Sequence, residues 1–119
     1  METIKIIVVD NHPEVITEIR SLLNTVEEFE IVGVAGEGRE SVEMIKDNMP
    51  DIILMDLKTP GIDGLKVTQY IRELYPSLKV LAITQYEDQI FIDAFLSPFH
   101  FSLLAQTLGV RFIHRFKKN

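Results

Sequence analysis

Four polar side chains stand where apolar runs end. Asp10 and Asn11 follow Ile4-Lys5-Ile6-Ile7-Val8-Val9, Asp56 follows Ile52-Ile53-Leu54-Met55, and Thr84 follows Lys79-Val80-Leu81-Ala82-Ile83. If the three runs are neighbouring strands, all four groups reach one rim. Carboxylates held a few Å apart repel each other; they stay ionised together only if a cation joins them, and otherwise one takes a proton. Hard oxygen donors without histidine or cysteine suit Mg²⁺, which keeps waters and uses one or two carboxylates plus a phosphate. A carboxylate beside such an ion can attack a phosphoryl group and hold it as an acyl phosphate. Thr84 could then donate its hydroxyl to a phosphoryl oxygen. Taken alone, Asp56 reads as a loop cap; the rest of the chain turns that reading round.

The elements that must position these groups alternate. Ile4 to Val9 is a β-branched run and reads as a strand. His12-Pro13-Glu14 opens a helix with Asn11 as N-cap, and Val15, Ile16, Ile19, Leu22, Leu23 and Val26 form its inward stripe. Phe29 to Ala35 is a second strand near a sheet edge, broken by Gly36-Glu37-Gly38, and a helix through Ser41 to Ile45 runs on to Asn48. Pro50-Asp51 leads into Ile52 to Met55, four consecutive apolar residues of the kind buried on both faces of a parallel sheet. Pro60-Gly61 turns the chain, and Asp63 or Gly64 starts a helix facing inward through Leu65, Val67, Ile71 and Leu74. Lys79 to Ile83 is a fourth strand, and a helix is expected from Glu87-Asp88 to about Leu96, with Phe91, Phe95 and Phe99 as a core stripe. This order predicts a doubly wound α/β fold with parallel strands, whose ligands sit outside the strands' carboxyl ends.

The remainder reads two ways. Ser97-Pro98 can start a helix over Phe99 to Leu108 closed by Gly109, with Val110 to Arg115 as a strand; alternatively one helix continues from 98 to about 116. His12 is assigned to starting its helix rather than to binding metal, and His100 and His114 to no site. Arg111, Arg115, Lys117 and Lys118 form a basic, solvated end.

At 119 residues, with 46% hydrophobic and 25% charged residues, the chain suits one domain over residues 1–119. A net charge of -6 argues against a nucleic-acid-binding surface, and the lack of cysteine excludes disulfides and thiolate metal sites. The N-terminus enters a strand pattern without signal-peptide architecture, and no apolar run approaches the roughly 20 residues of a membrane span. A cytoplasmic protein is expected.

Val8-Val9-Asp10-Asn11-His12-Pro13, Pro50-Asp51-Ile52-Ile53-Leu54-Met55-Asp56, Pro60-Gly61-Ile62-Asp63-Gly64 and Leu81-Ala82-Ile83-Thr84 closely resemble the receiver domain of two-component response regulators. Within that family they are most similar to the branch with a C-terminal helix-turn-helix output domain. The resemblance covers about residues 4–96 and is lost in the divergent segment 97–119. It implies a flavodoxin-like, five-stranded parallel sheet of order 2-1-3-4-5. It implies a phosphoryl group passed from a sensor histidine kinase to Asp56 as phosphoacceptor, in a signalling switch rather than a turnover enzyme. Mg²⁺ would be held by Asp10, Asn11, Asp56 and the backbone carbonyl of Lys58, with Thr84 as the switch hydroxyl.

Two departures support a second expectation, a pseudo-receiver that acts as a protein-interaction module without phosphate. The family's acidic pair is Asp10-Asn11 here, which removes one ligand charge. The family's lysine at the end of strand five is missing, since no lysine lies between Lys79 and Lys117. If Val110 to Arg115 were the fifth strand, Lys117 or Lys118 would emerge on the rim with Asp56. A shortened final element would leave apolar surface that favours a homodimer. No output module fits in the chain, so DNA would be bound by a domain that this sequence does not contain. An aspartyl-phosphate hydrolase would need a second Asp at the position of Lys58, and a flavin carrier a phosphate loop where the acidic Asp10-Asn11-His12-Pro13 stands.

Overall fold

The computed structural model describes residues 3–56, 64–86, 89–93 and 111–112. The central strands are β1 (Ile4–Val9) and β3 (Ile52–Asp56), flanked by β2 (Phe29–Ala35) and β4 (Lys79–Tyr86). All four are parallel and lie in the order β2-β1-β3-β4, as the expected topology requires. The run from Ile6 to Val9 and the run from Ile52 to Met55 are almost wholly excluded from solvent. Continuous apolar sequence is what strands covered on both sides need.

Side chains alternate across a strand, so each run supplies two cores. Ile6, Val8, Ile52, Leu54 and Leu81 pack on Ile19 and Leu23 of α1 (Pro13–Leu23). Ile7, Val9, Ile53, Met55 and Val80 pack on Ile45 of α2 (Gly38–Asp47) and on Val67 and Ile71 of α3 (Gly64–Leu74). Among the described residues one helix therefore covers one face and two cover the other, which is the doubly wound arrangement. Burial of each such side chain contributes about 1.5–3 kcal/mol, enough to hold the strand ends in fixed register. At the opposite end of the central pair, the Lys5 N–H donates to Asp51 Oδ2 and the Asp51 N–H to the Lys5 carbonyl, both at 2.8 Å.

Two local expectations are corrected. The N-cap of α1 is His12, not Asn11, with φ -104° and ψ 107° and no side-chain cap bond. Pro13 lacks an N–H and has a helical φ, so it takes the first helical position and puts the cap at residue 12. Leu74, expected to face inward, is 49% exposed. Beyond it the Tyr75 N–H donates to Ile71 and the Leu78 N–H to Tyr75, and this turn lays Tyr75 and Leu78 on the core instead.

The larger correction concerns the sheet beyond β4. The helix expected from Glu87-Asp88 to Leu96 is replaced over its middle by β5 (Gln89–Asp93), antiparallel to β4 from Tyr86↔Gln89 to Ala82↔Asp93. The run Gln89-Ile90-Phe91-Ile92-Asp93 is rich in β-branched and aromatic residues, and β4 offers it an unpaired edge of N–H and C=O groups. Phe91 thus lies in a strand, so the Phe91, Phe95, Phe99 stripe is not a helix face at its first member. A further strand, β6 (Arg111–Phe112), pairs parallel with β5, giving the order β2-β1-β3-β4-β5-β6 in place of five parallel strands. The alternative of a single helix from 98 to 116 is excluded at Arg111 and Phe112. The strand found there lies beside β5, not β4. The expected helix Phe99 to Leu108 and the lysines 117 and 118 lie outside the described residues. Among the described residues no helix is long and apolar enough to cross a membrane.

Candidate functional site

The last paired residues of β1 and β3 are Val9 and Met55, so Asp10 and Asp56 come next to each other at the carboxyl ends of the two central strands. Both are nearly buried, 2% and 7% exposed. The backbone N–H of Asp10 donates to the Ala35 carbonyl at 2.9 Å, which ties this turn to the end of β2 as well. Strand pairing on three adjacent strands therefore positions the acids.

His12 completes the group. Its backbone N–H donates to Asp10 Oδ1 at 2.8 Å, and its ring Nδ1 lies 2.8 Å from the same oxygen. Nδ1 is also 3.7 Å from Asp56 Oδ2, with the ring about half exposed. The hydrogen bond with Asp10 raises the imidazole pKa above 6.5; partial desolvation opposes this, and the charges of Asp10, Asp56 and Glu14 add to it. One ligand atom from each of Asp10, His12 and Asp56 lies within 4.8 Å of the others, a spacing that could hold a metal ion.

Of the residues singled out in the sequence, Asp10 and Asp56 are brought together as expected. Asn11 lies between Asp10 and His12 and is exposed. Thr84 follows Ile83, the β4 residue paired with Asp56, so its backbone stands one step beyond Asp56 on the adjacent strand. Lys58 lies outside the described residues. His12 was assigned only to the helix start. It does cap α1, yet its ring turns to the two carboxylates. The available signal was its spacing from Asp10: a residue two beyond an Asp sits where that carboxylate can accept its N–H.

A doubly wound parallel sheet with paired carboxylates at the ends of its central strands defines a class of α/β protein that binds its ligands at that edge. Residues 6–103 match the response regulator receiver domain family, and the chain belongs to that family. It is accordingly a receiver domain of two-component signal transduction, among signalling proteins. The chain is 40% identical over 88 residues to the response regulator GacA of Pseudomonas syringae pv. syringae, covering 74% of this chain and 41% of that protein. It is 36% identical over 89 residues to the oxygen regulatory protein NreC of Staphylococcus haemolyticus, again covering 74% and 41%. The chain thus spans about two-fifths of the length of the curated relatives it matches. Among solved structures, a LuxR-family two-component response regulator from Aurantimonas superposes with a TM-score of 0.67 at 27% identity, covering 93% of this chain and 72% of that one. The isolated REC domain of RcsB from Salmonella enterica serovar Typhimurium shares the fold, with a TM-score of 0.68 at 22% identity over 94% of this chain and 77% of that one.

Proposed function

We propose that this receiver accepts a phosphoryl group from a sensor histidine kinase on Asp56. The observation that carries the reading is the approach of the nearly buried Asp10 and Asp56 carboxylates at the ends of β1 and β3. A carboxylate oxygen of Asp56 attacks the phosphorus of the kinase's phosphohistidine. The P–O bond forms as the P–N bond breaks, and the imidazole leaves with the electron pair and takes up a proton.

The donor set fits a hard divalent ion: two acids whose oxygens lie within 4.8 Å of each other, with Asn11 next to Asp10 in the chain. Asp10, Asn11, Asp56 and the Lys58 carbonyl would hold Mg²⁺. Bound there, Mg²⁺ supplies positive charge against the phosphoryl oxygens. The Thr84 hydroxyl donates to a phosphoryl oxygen and so reports the adduct to the rest of β4. Cytoplasmic location, a kinase partner, a homodimer and an output domain elsewhere in a longer regulator belong to the same reading. Relatives of greater length support the output domain, and among the neighbours RcsB is described as dimers bound to DNA.

The test is intact-mass measurement at neutral pH after incubation with acetyl phosphate and Mg²⁺. One phosphoryl adduct is expected on the wild type and none on Asp56→Asn. A wild-type mass that never changes defeats the reading.

A second reading, the pseudo-receiver, is favoured by Asn11, by the lysine-free stretch between Lys79 and Lys117, and by the ring of His12 already bonded to Asp10. In that case Asp56→Asn leaves partner binding unchanged; a large change in binding counts against it.

A further inference from the structure

We infer that a second copy of this chain docks on the exposed face of α3, antiparallel to it, about a two-fold axis at Tyr70. The surface belongs to the homodimer named in the reading above and rests on it. Met49, Tyr70 and Leu74 are the large apolar side chains exposed among the described residues, and two of the three stand on α3. Tyr70 is 51% exposed and Leu74 49%. Lys66, Tyr70, Glu73 and Leu74 are spaced i, i+4, i+7 and i+8, so they share one helix face. Beside that face a groove of about 380 Å³ opens between α2 and α3. Val42, Val67 and Tyr70 form its apolar walls, with Arg39, Glu43 and Lys66 at its edges.

The charges on this face are ordered along the helix. Lys66 lies in the first turn of α3 and Glu73 in the last, each at the end whose backbone dipole disfavours it. Neither has an ion-pair partner among the described residues. An antiparallel neighbour reverses the order and supplies each with its opposite. At a rise of about 1.5 Å per residue, Lys66 lies about 6 Å to one side of Tyr70 and Glu73 about 4.5 Å to the other. A two-fold axis at Tyr70 therefore brings Lys66 of one copy level with Glu73 and Leu74 of the second. The groove opens at that level, so Leu74 of the second copy enters between Val67 and Val42 while Glu73 meets Lys66 and Arg39. The two Tyr70 rings meet at the axis, a residue type that covers apolar area while its hydroxyl stays in water. The patch is thus complementary to itself, as an isologous contact requires.

The experiment is sedimentation equilibrium of the full chain over a range of concentrations. Wild type is expected to dimerise, and Tyr70→Glu to raise the dimer Kd by about tenfold or more. Tyr70 and Lys66 are exposed, so their variants keep the fold, which circular dichroism checks. Lys66→Glu is expected to raise the Kd by about fivefold, and adding Glu73→Lys to bring it back, because the pair re-forms with its signs exchanged. A purely structural role for either residue would show no such rescue. A wild-type dimer indifferent to Tyr70→Glu or to Lys66→Glu, or a double exchange no tighter than Lys66→Glu, overturns this surface while a homodimer through another face stands. Wild type that stays monomeric at every concentration overturns both.

Discussion

Asp10 and Asp56 stand side by side, one step past the last paired residues of β1 and β3, and each is almost completely buried. Two like charges in that position repel, and the only other ligand-type group drawn to them among the described residues is the ring of His12. How the site settles this conflict governs its stability as well as its chemistry.

Asp56→Asn removes one of the two charges at nearly constant shape. Without metal, its unfolding free energy is expected to rise by about 1 kcal/mol, the scale of the Coulomb repulsion between two close charges screened by water. Wild type is expected to gain stability on adding Mg²⁺ through binding to the folded state, and the variant to gain almost none. Urea unfolding with chelator and with Mg²⁺ measures both effects, and equal Mg²⁺ gains in the two proteins would contradict the shared ion.

His12 is expected to titrate above 6.5 in metal-free protein, chiefly through its hydrogen bond to Asp10. Because the folded-state pKa is raised, the linked stabilisation is complete below pH 6.5 and fades as pH climbs through the folded value. NMR titration of the imidazole resonances checks the direction. In Asp10→Asn the His12 value is expected to fall back, since its leading cause is gone.

The two cores are tested by neighbouring residues. Ile53 and Leu54 are both fully buried but face opposite helical layers, so Ile53→Ala and Leu54→Ala should each cost about 2–5 kcal/mol. Were either sheet face open to water, one of the pair would cost little. Chemical denaturation distinguishes the cases.

Gly38 begins α2 where that helix meets α3. A Cβ there would lie 2.7 Å from Val67 Cγ2 and 3.2 Å from Val67 Cβ, in contact with a stiff, buried, β-branched side chain. Gly38→Ala is therefore expected to destabilise by about 1–3 kcal/mol despite the better helix propensity of alanine. Adding Val67→Ala should make the Gly38→Ala step cheaper, and a double-mutant cycle reads that coupling.

Much of the frame could be read from residue order. Ile6 to Val9 and Ile52 to Met55 are apolar at every position, and such short runs, β-branched and bounded by turn residues, suit a strand covered on both sides. Each stops at an acid, so the pairing of Asp10 with Asp56 followed once the two strands were neighbours. The segment from Gln89 to Asp93 was less legible. A three-residue apolar run, Ile90-Phe91-Ile92, fits a strand or a turn of buried helix, and the spacing of Phe91 from Phe95 and Phe99 favoured the helix. The open edge of β4, contributed by residues earlier in the chain, tipped the balance. Leu74 was misplaced for a similar reason: helical spacing points it inward, but the turn at Tyr75 and Leu78 fills that space.

The amino-acid order by itself determined the four parallel strands, the two-sided burial of the central pair and the acids at the tips of that pair, because those features follow from local runs of side chains and the breaks that end them. The tertiary structure alone decided the direction of β5, the company of β6 and the turning of the His12 ring toward the two carboxylates. The pairing of β6 with β5 and the approach of the His12 ring to Asp56 depend on groups far apart in the chain, which act on one another only once folding has brought them within a few Å.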